Sequence, residues 1–317
     1  MRYFVVTDIF GAYDGLIGVL NQAGFDKENP EHSLISLGNL LDFGNKPKEC
    51  LEYIMSIPSD RRILIQGSHE IAMVEALTRG GFTDTDRNNG LITAARLLSG
   101  ADTDESAFQY IKEYQLLKDY INQLQPYYET EGAVYVSGWI PCYHIKHLYD
   151  DKYFYLYERK WREASKEAWE YATKLNGMEA WDAGITEFDK TIICGNYPAP
   201  WGHYNLHHEG GDFVPTVGCN CPECVALRDD GAVVITEEKP KPIYDPFQDN
   251  GIVNLNGCGI YGGIINTIMW DDTPVAGMPV KKYVPESDTN PMIHDNNSDE
   301  NFESAPIKIK LKGQSKS

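Results

Sequence analysis

MRYFVVTDIFGAYDG, residues Met1 to Gly15, is the stretch that decides the fold of this 317-residue chain. Residues 3–7 are aromatic or β-branched, which predicts a fully buried strand. Asp8 follows at once, so a carboxylate stands at the carboxyl end of that strand. Gly11 then allows a turn, and the apolar residues between Leu16 and Ala23 recur at helical spacing. The stretch therefore predicts a strand, an acidic loop and a helix that crosses back over the sheet.

The same pattern recurs twice before residue 80. Residues 33–37 form a short apolar run that is followed by GNLLDFG (38–44) and by a helical pattern over 47–57. Residues 62–66 form a third strand, followed by GSHE (67–70) and a helical run over 71–77. Strands joined through helices are parallel, so the three loops are expected to meet at one edge of the sheet, where open α/β folds bind ligands.

These three loops resemble, in order and spacing, the GDxHG, GDxxDRG and GNHE signatures of the calcineurin-like metallophosphoesterases. The resemblance is to the phosphoprotein (serine/threonine) phosphatase branch of bacterial and phage type. It continues in VSGWIP (136–141), which is similar to an HGWIP loop, in CGNYP (194–198), which is similar to a CGHWH loop, and in a closing strand and turn over 254–263. It implies an α/β fold with a two-sheet β-sandwich flanked by helices.

The resemblance implies a dinuclear Mn, Fe or Zn centre, but most ligand positions carry other residues. Asp8 matches the first metal ligand. The replaced positions are Phe10 for a His, Asn39 for the bridging Asp, Ser68 for an Asn, Ser137 for a His, and Asn196 and Pro198 for the two His of the fifth loop. Phenylalanine cannot bind a metal, and Asn and Ser offer only neutral oxygens. We therefore expect the dinuclear centre to be absent.

Residues that would hold and protonate a phosphate are only partly kept. Phe43 stands where the resemblance places an Arg of the second loop, and Thr173 stands at another Arg position, with Lys174 adjacent. Neither Phe nor Thr can hold phosphate with two hydrogen bonds as Arg does. Asp42 and His69 match the acid dyad that protonates the leaving group. Alternatively, their hydrogen bond only pins two loops together.

A second group of possible ligands lies in a Cys/His-rich insertion over residues 200–230. Cys219, Cys221 and Cys224 lie within six residues of one another, and His203 and His207 precede them. Three thiolates and an imidazole form a tetrahedral structural zinc site in many proteins. We expect such a zinc, with His203 or His207 as the fourth ligand. The alternative is an ordered loop with free thiols.

The chain divides into one large domain over residues 1–283 and a tail over 284–317 whose polar composition predicts disorder. Residues 80–125 are expected to insert a helical cap, with a loop at 80–89 and helices at 91–98 and 104–124. A packing role without substrate contact is favoured for this segment over a role in substrate binding. Further expectations are a helix at 157–176 and strands at 133–136, 233–236, 251–256 and 264–270.

Composition limits the partners and the compartment. The net charge of −19 argues against binding to a nucleic-acid backbone. Met1 leads directly into the first strand and no apolar run is long enough to span a bilayer, so we expect neither a signal peptide nor a membrane contact. The mixed spacing of seven cysteines suits reduced thiols. A cytoplasmic protein is expected, in the host cytoplasm if a phage encodes it.

Two classes of function follow from the sequence. The first is a catalytically inactive pseudophosphatase that binds a phosphorylated small molecule, a nucleotide or a phosphoprotein. The second is an active metal-dependent phosphatase with an unconventional metal set. Loss of so many ligands together favours the first class, because an active site would be expected to keep its bridging carboxylate. A purely structural partner is a third, weaker alternative.

Overall fold

The structure is a computed structural model that describes residues 1–146, 153–157, 159–187, 189–211, 240–271 and 280–283. The strands, numbered in chain order, are Arg2–Val6 (β1), His32–Ser36 (β2), Arg62–Leu64 (β3), Tyr127–Glu129 (β4), Ala133–Val136 (β5), Cys142–Lys146 (β6), Tyr153–Tyr157 (β7), Thr191–Cys194 (β8), Phe247–Asp249 (β9), Ile252–Asn254 (β10), Ile265–Asp271 (β11) and Val280–Tyr283 (β12). The helices are Tyr13–Ala23 (α1), Pro47–Ser56 (α2), Ser68–Arg79 (α3), Asp84–Asn88 (α4), Leu91–Ser99 (α5), Asp104–Glu113 (α6), Gln115–Ile121 (α7), Lys166–Ala172 (α8), Gly177–Asp182 (α9) and Ala199–Asn205 (α10).

The first sheet has the strand order β12-β11-β1-β2-β3. β1, β2 and β3 are parallel, with Val5 opposite Ile35 and Ile35 opposite Ile63. The parallel crossovers expected from the sequence are therefore present. Because β1 lies between β2 and the antiparallel β11, the loop that carries Asp8 leaves from the middle of the sheet edge.

The second sheet has the order β4-β5-β8-β10-β9, and its three central strands are parallel. One hydrophobic cluster joins the two sheets, since it contains Val5 and Ile35 of the first sheet with Tyr135, Ile193 and Val253 of the second. These side chains form the interior of a sandwich. The fold class predicted from the motifs, an α/β two-sheet sandwich, is confirmed.

Helices cover the outer face of each sheet. Along β1, Phe4 and Val6 point away from the second sheet and pack with Leu16 of α1 and Leu51 of α2. Val5 points between the sheets, as the two-residue period of a strand requires. A separate cluster with Trp139, Trp161 and Met178 covers the outer face of the second sheet. The molecule thus has helix, sheet, sheet and helix layers over its described residues.

Residues 80–125 contain the helices α4 to α7, which pack on the outer layer of the first sheet through residues such as Leu91, Phe108 and Leu117. The loop expected at 80–89 includes α4, because Thr83 caps it: Thr83 Oγ1 accepts a hydrogen bond from the Asp86 amide. The single helix expected at 104–124 is interrupted at Tyr114, whose backbone is extended.

The helix expected at 157–176 is also shorter. Tyr157 belongs to β7, Trp161–Glu163 forms a 3-10 turn, and α8 begins only after Ser165, which caps it. Burial of Trp161 against Tyr127 and Trp169 fixes this turn. The β6–β7 hairpin was not predicted. The strand expected at 233–236 and the tail over 284–317 lie outside the described residues.

Within the described ranges, no helix combines the length and the apolar content that crossing a bilayer would require.

Candidate functional site

Five loops place the candidate residues at the edge where the parallel strands of both sheets end. Asp8 follows β1, Asn39 follows β2, Ser68 begins α3 after β3, and Asn196 follows β8. Direct hydrogen bonds connect these four side chains, as described below. The fold therefore brings these four predicted positions together.

Asp8 is buried, with 4% of its surface exposed, and protein donors engage both of its carboxylate oxygens. Asn39 Nδ2 donates to Oδ1 at 2.8 Å. Thr7 Oγ1 donates to Oδ2 at 2.9 Å, and the backbone amide of Asn196 donates to the same atom at 2.8 Å. Burial raises the pKa of Asp8, although the hydrogen bonds act against that rise. The retained metal-ligand position thus serves as a hydrogen-bond acceptor.

Asn39 occupies the position of the bridging carboxylate and connects three loops. Besides Asp8, its Nδ2 donates to Asn196 Oδ1 at 3.3 Å. Its Oδ1 accepts from the His69 amide at 3.1 Å and from Ser68 Oγ at 3.5 Å. A carboxylate could not donate to Asp8. The Asn side chain therefore links these loops through a network of amide hydrogen bonds.

Two loops of the second sheet close the site: the fourth motif loop, residues 136–141, and the fifth motif loop, residues 194–198. Ser137 is buried, and its carbonyl accepts a hydrogen bond from the Gly195 amide at 2.7 Å. Ser137 Oγ has no partner among the described residues. A Cβ on Gly195 would overlap Thr7 and Asp8, so only glycine allows this close approach. Pro198 caps the start of α10 and cannot serve as a ligand.

Asp42 and His69 form the expected dyad. His69 Nδ1 lies 2.6 Å from Asp42 Oδ2. Burial lowers the pKa of His69, but the hydrogen bond and charge of Asp42 more than offset this effect and raise it above its ordinary value. The rings of Phe10 and Phe43 pack edge-on against the imidazole, with centroids 5.0 and 5.4 Å away. Two aromatic rings therefore line the dyad where the resemblance places a metal-binding His and an Arg.

Thr173 and Lys174 do not restore the missing cationic fork. Thr173 is buried and its hydroxyl donates to the Glu170 carbonyl at 2.8 Å. Lys174 is exposed. The chain at Ala172 packs beside the fourth loop, because the Trp139 amide donates to the Ala172 carbonyl at 3.0 Å. The segment has the expected position but lacks the expected charge.

The site backbone contains a cluster of left-handed residues that the sequence analysis missed. Asp8, Phe10, Asn39, Phe43 and Asn196 all have φ between 50° and 65°. A left-handed conformation costs an L-residue about 1–2 kcal/mol, and a bulky residue such as Phe adopts it rarely. Strain of this kind concentrates at functional loops. The five residues therefore share one backbone conformation although their side chains differ.

The sequence analysis also missed the role of Glu70. It is buried, and Oε2 accepts from the amides of Asn39 at 2.8 Å and Gly67 at 3.0 Å. Oε1 accepts from the Leu40 amide at 2.9 Å and from the Tyr120 hydroxyl at 3.0 Å. One carboxylate thus joins the second loop, the third loop and α7. Its place in the GSHE motif was the only signal in the sequence.

Two of the five residues predicted for the zinc site lie in the described chain. His203 is in α10, with Nε2 3.1 Å from the Asp245 carbonyl. His207 follows α10, with Nε2 3.3 Å from Asp249 Oδ2. The remaining three, Cys219, Cys221 and Cys224, lie outside the described residues, so the cysteine zinc site remains a prediction.

The residues present do not fit a dinuclear metal centre. Among the seven ligand positions that the resemblance implies, Asp8 alone is a carboxylate, and its oxygens are already hydrogen-bonded. Two divalent cations facing a single anionic ligand would repel each other with little compensation. We therefore derive no catalytic step through such a centre.

Two facing sheets with five motif loops at one edge form the arrangement that the resemblance to the calcineurin-like metallophosphoesterases implies. Neither a protein-family model nor a curated protein matches its sequence significantly.

Solved structures similar to this chain include a candidate diadenosine tetraphosphatase, at 12% identity over 90% of this chain and 94% of that one, with a TM-score of 0.45. A serine/threonine phosphatase from Saccharomyces cerevisiae with similarity to human phosphatase PP5 has 11% identity over 96% of this chain and 82% of that one, with a TM-score of 0.45. A metallophosphoesterase from Sphaerobacter thermophilus has 13% identity over 85% of this chain and 83% of that one, with a TM-score of 0.38.

Proposed function

We propose that this chain is a non-catalytic protein built on the metallophosphoesterase fold, and that it binds a phosphorylated small molecule, a nucleotide or a phosphoprotein. The observation that carries the proposal is the 2.8 Å hydrogen bond from Asn39 Nδ2 to Asp8 Oδ1. The resemblance implies that both positions supply carboxylates to metal ions in active relatives. In this chain the two side chains satisfy each other instead.

The dyad can take part in binding without turnover. The raised pKa of His69 increases the fraction of its imidazole that is cationic near neutral pH. A cationic imidazole at the edge of the sheet attracts a phosphate group, which matters in a chain with a net charge of −19. Hydrolysis also needs an activated nucleophile, and a dyad that protonates the leaving group does not supply one.

An active metal-dependent phosphatase is the second candidate. The observation that favours it is the intact Asp42–His69 pair at 2.6 Å, together with the retained left-handed backbone at Asp8, Asn39 and Asn196. Both features would also be present in an enzyme that used an unconventional metal set. Activity measurements distinguish the two candidates.

The test combines metal analysis of the purified protein with hydrolysis of p-nitrophenyl phosphate at high manganese concentration, for wild type and Asp8→Ala. We expect fewer than two metal ions per chain at this site and no hydrolysis above background in either protein. Wild-type hydrolysis at the rate of an ordinary phosphatase, abolished by Asp8→Ala, would show that the chain is an enzyme.

A repaired variant tests the physical reason for inactivity. Restoring the missing ligands together is expected to recover manganese binding and some hydrolysis, whereas each change alone should recover little because the ligands act as a unit. The five changes are Phe10→His, Asn39→Asp, Ser68→Asn, Ser137→His and Asn196→His. The matched control adds Asp8→Ala to the five and should be inactive. A folded repaired variant that still binds no manganese would contradict the explanation based on ligand loss.

A further inference from the structure

The end of α10 brings together three potential metal ligands, none of which belongs to the five motif loops. The chain reverses after the helix, because the His207 amide donates to the Gly202 carbonyl at 3.2 Å and the Glu209 amide donates to the His203 carbonyl at 2.9 Å. His208 has a φ of 56°, which allows the reversal. His207 and Glu209 therefore fold back beside His203.

One ligand atom from each of His203, His207 and Glu209 lies within 4.8 Å of the others. A tetrahedral zinc ion with bonds of about 2.0–2.1 Å holds its ligand atoms roughly 3.4 Å apart. The three atoms must therefore close in when an ion binds. The exposed side chain of Glu209 is free to supply most of that movement, because it lies on the surface.

Each imidazole already has a partner for one ring nitrogen. His203 Nε2 lies 3.1 Å from the Asp245 carbonyl, and His207 Nε2 lies 3.3 Å from Asp249 Oδ2. Metal-binding histidines almost always donate their second ring nitrogen to a carbonyl or a carboxylate, which fixes the tautomer and orients the ring. In both residues this arrangement leaves Nδ1 as the acceptor nitrogen.

His203 Nδ1 is an unsatisfied buried atom. Only 8% of the residue is exposed, and Nδ1 has no hydrogen-bond partner among the described residues. A buried polar atom without a partner is unfavourable and calls for an explanation such as an ion.

We propose that His203, His207 and Glu209 bind one divalent transition-metal ion, with Zn²⁺ as the ion that best suits two imidazoles and one carboxylate. The sequence predicted His203 or His207 as alternative fourth ligands of a cysteine site. The geometry instead assigns both histidines and Glu209 to one site. Through Asp245 and Asp249 the ion would tie the end of α10 to the segment that forms β9.

The test uses the full chain, stripped with a chelator and then equilibrated with zinc sulfate alone. We expect about one zinc ion per chain by elemental analysis and a rise in the unfolding temperature. His207→Gln and Glu209→Gln should each abolish this binding, and both positions reach the surface, so folding should survive. His208→Asn is the matched control, because it changes the adjacent histidine and tolerates the left-handed φ. Asp249→Asn should weaken binding roughly 10–100-fold.

The cysteines decide between this site and the one predicted from sequence. The variant Cys219→Ser/Cys221→Ser/Cys224→Ser should retain its zinc, and the cobalt-substituted protein should lack a thiolate charge-transfer band. Loss of zinc in the cysteine variant, or binding that persists in both His207→Gln and Glu209→Gln, would overturn the proposal. So would a wild-type chain that takes up no zinc.

Discussion

Asn39 donates a hydrogen bond from Nδ2 to Asp8 Oδ1 across 2.8 Å, and so joins the loops that follow β2 and β1. The donor is an amide at a position where the resemblance places a carboxylate. Because Asp8 is buried, the charge of residue 39 decides whether the two loops attract or repel each other.

The variant Asn39→Asp should therefore destabilise the protein by about 1–3 kcal/mol at neutral pH. Two buried carboxylates would share the space now held by a hydrogen bond, and their pKa values in the folded state would rise. Protons then bind more tightly to the folded than to the unfolded chain, so the variant should lose stability as the pH rises. Urea unfolding at pH 5 and pH 8 measures this. Asn39→Gly permits the same φ without adding charge, so its loss of stability should depend less on pH than that of Asn39→Asp, although removing the Asn39 donor also raises the pKa of Asp8.

Asp42→Asn should lower the pKa of His69, because the carboxylate partner at 2.6 Å is replaced by a neutral amide. NMR titration of the His69 ring protons measures the change. In wild type the raised pKa of His69 contributes stability that is fully present below about pH 6.5 and is lost as the pH rises through the folded value. His32, whose pKa burial lowers, provides an internal reference that should not change. An unaltered His69 titration in Asp42→Asn would mean that the pair is not electrostatically coupled.

Glu70→Gln should reduce the free energy of unfolding by about 2–4 kcal/mol, because the carboxylate accepts four hydrogen bonds in a buried site. The side-chain NH₂ group of Gln would face backbone N–H groups that now donate to Glu70. Glu75→Gln on the same helix is the matched control; its side chain is exposed and the change should stay within about 0.5 kcal/mol. Equal stability of the two variants would show that Glu70 does not hold the loops together.

Gly90→Ala should be more destabilising than Gly100→Ala, although the two glycines flank the same helix α5 with similar φ angles of 77° and 68°. Both changes place Ala in the left-handed region, at a cost of about 1–2 kcal/mol. Only a Cβ at Gly90 meets Phe43, with the ring carbon Cδ1 at 2.8 Å, which should add about 1–3 kcal/mol. Denaturant unfolding of the two variants measures the difference. An equal loss of stability in the two variants would mean that a Cβ at Gly90 does not clash with Phe43.

Strand periodicity and loop residues were enough to predict the parallel part of the first sheet and the positions of Asp8 and Asn39, whereas the position of Asn196 followed from the family resemblance. These features depend on local sequence: a buried strand ends, and a Gly, Asp or Asn marks the turn. The breaks at Tyr114 and before Ser165 were not predicted, because apolar spacing continues through them. Capping and the burial of Trp161 decide those boundaries, and both depend on contacts made only in the folded chain.

The hydrogen-bonding roles of Asn39 and Glu70 also lay beyond the sequence. Their motif positions were visible, but the partners of Glu70 come from three separate segments, including Tyr120 of α7. Likewise Glu209 gave no signal as a possible ligand, since it approaches His203 only after the left-handed turn at His208. Spacing along a chain does not reveal a reversal of this kind.

Phenylalanine gains nothing from the positive φ that it has at Phe10 and Phe43, so the turn there is imposed by the surrounding loops and not by its own preference. Torsion angles at the loop ends thus form a signature that is independent of side-chain chemistry. If other chains with these loops carry the same positive φ values, the signs of φ after neighbouring strands would identify relatives that residue letters miss.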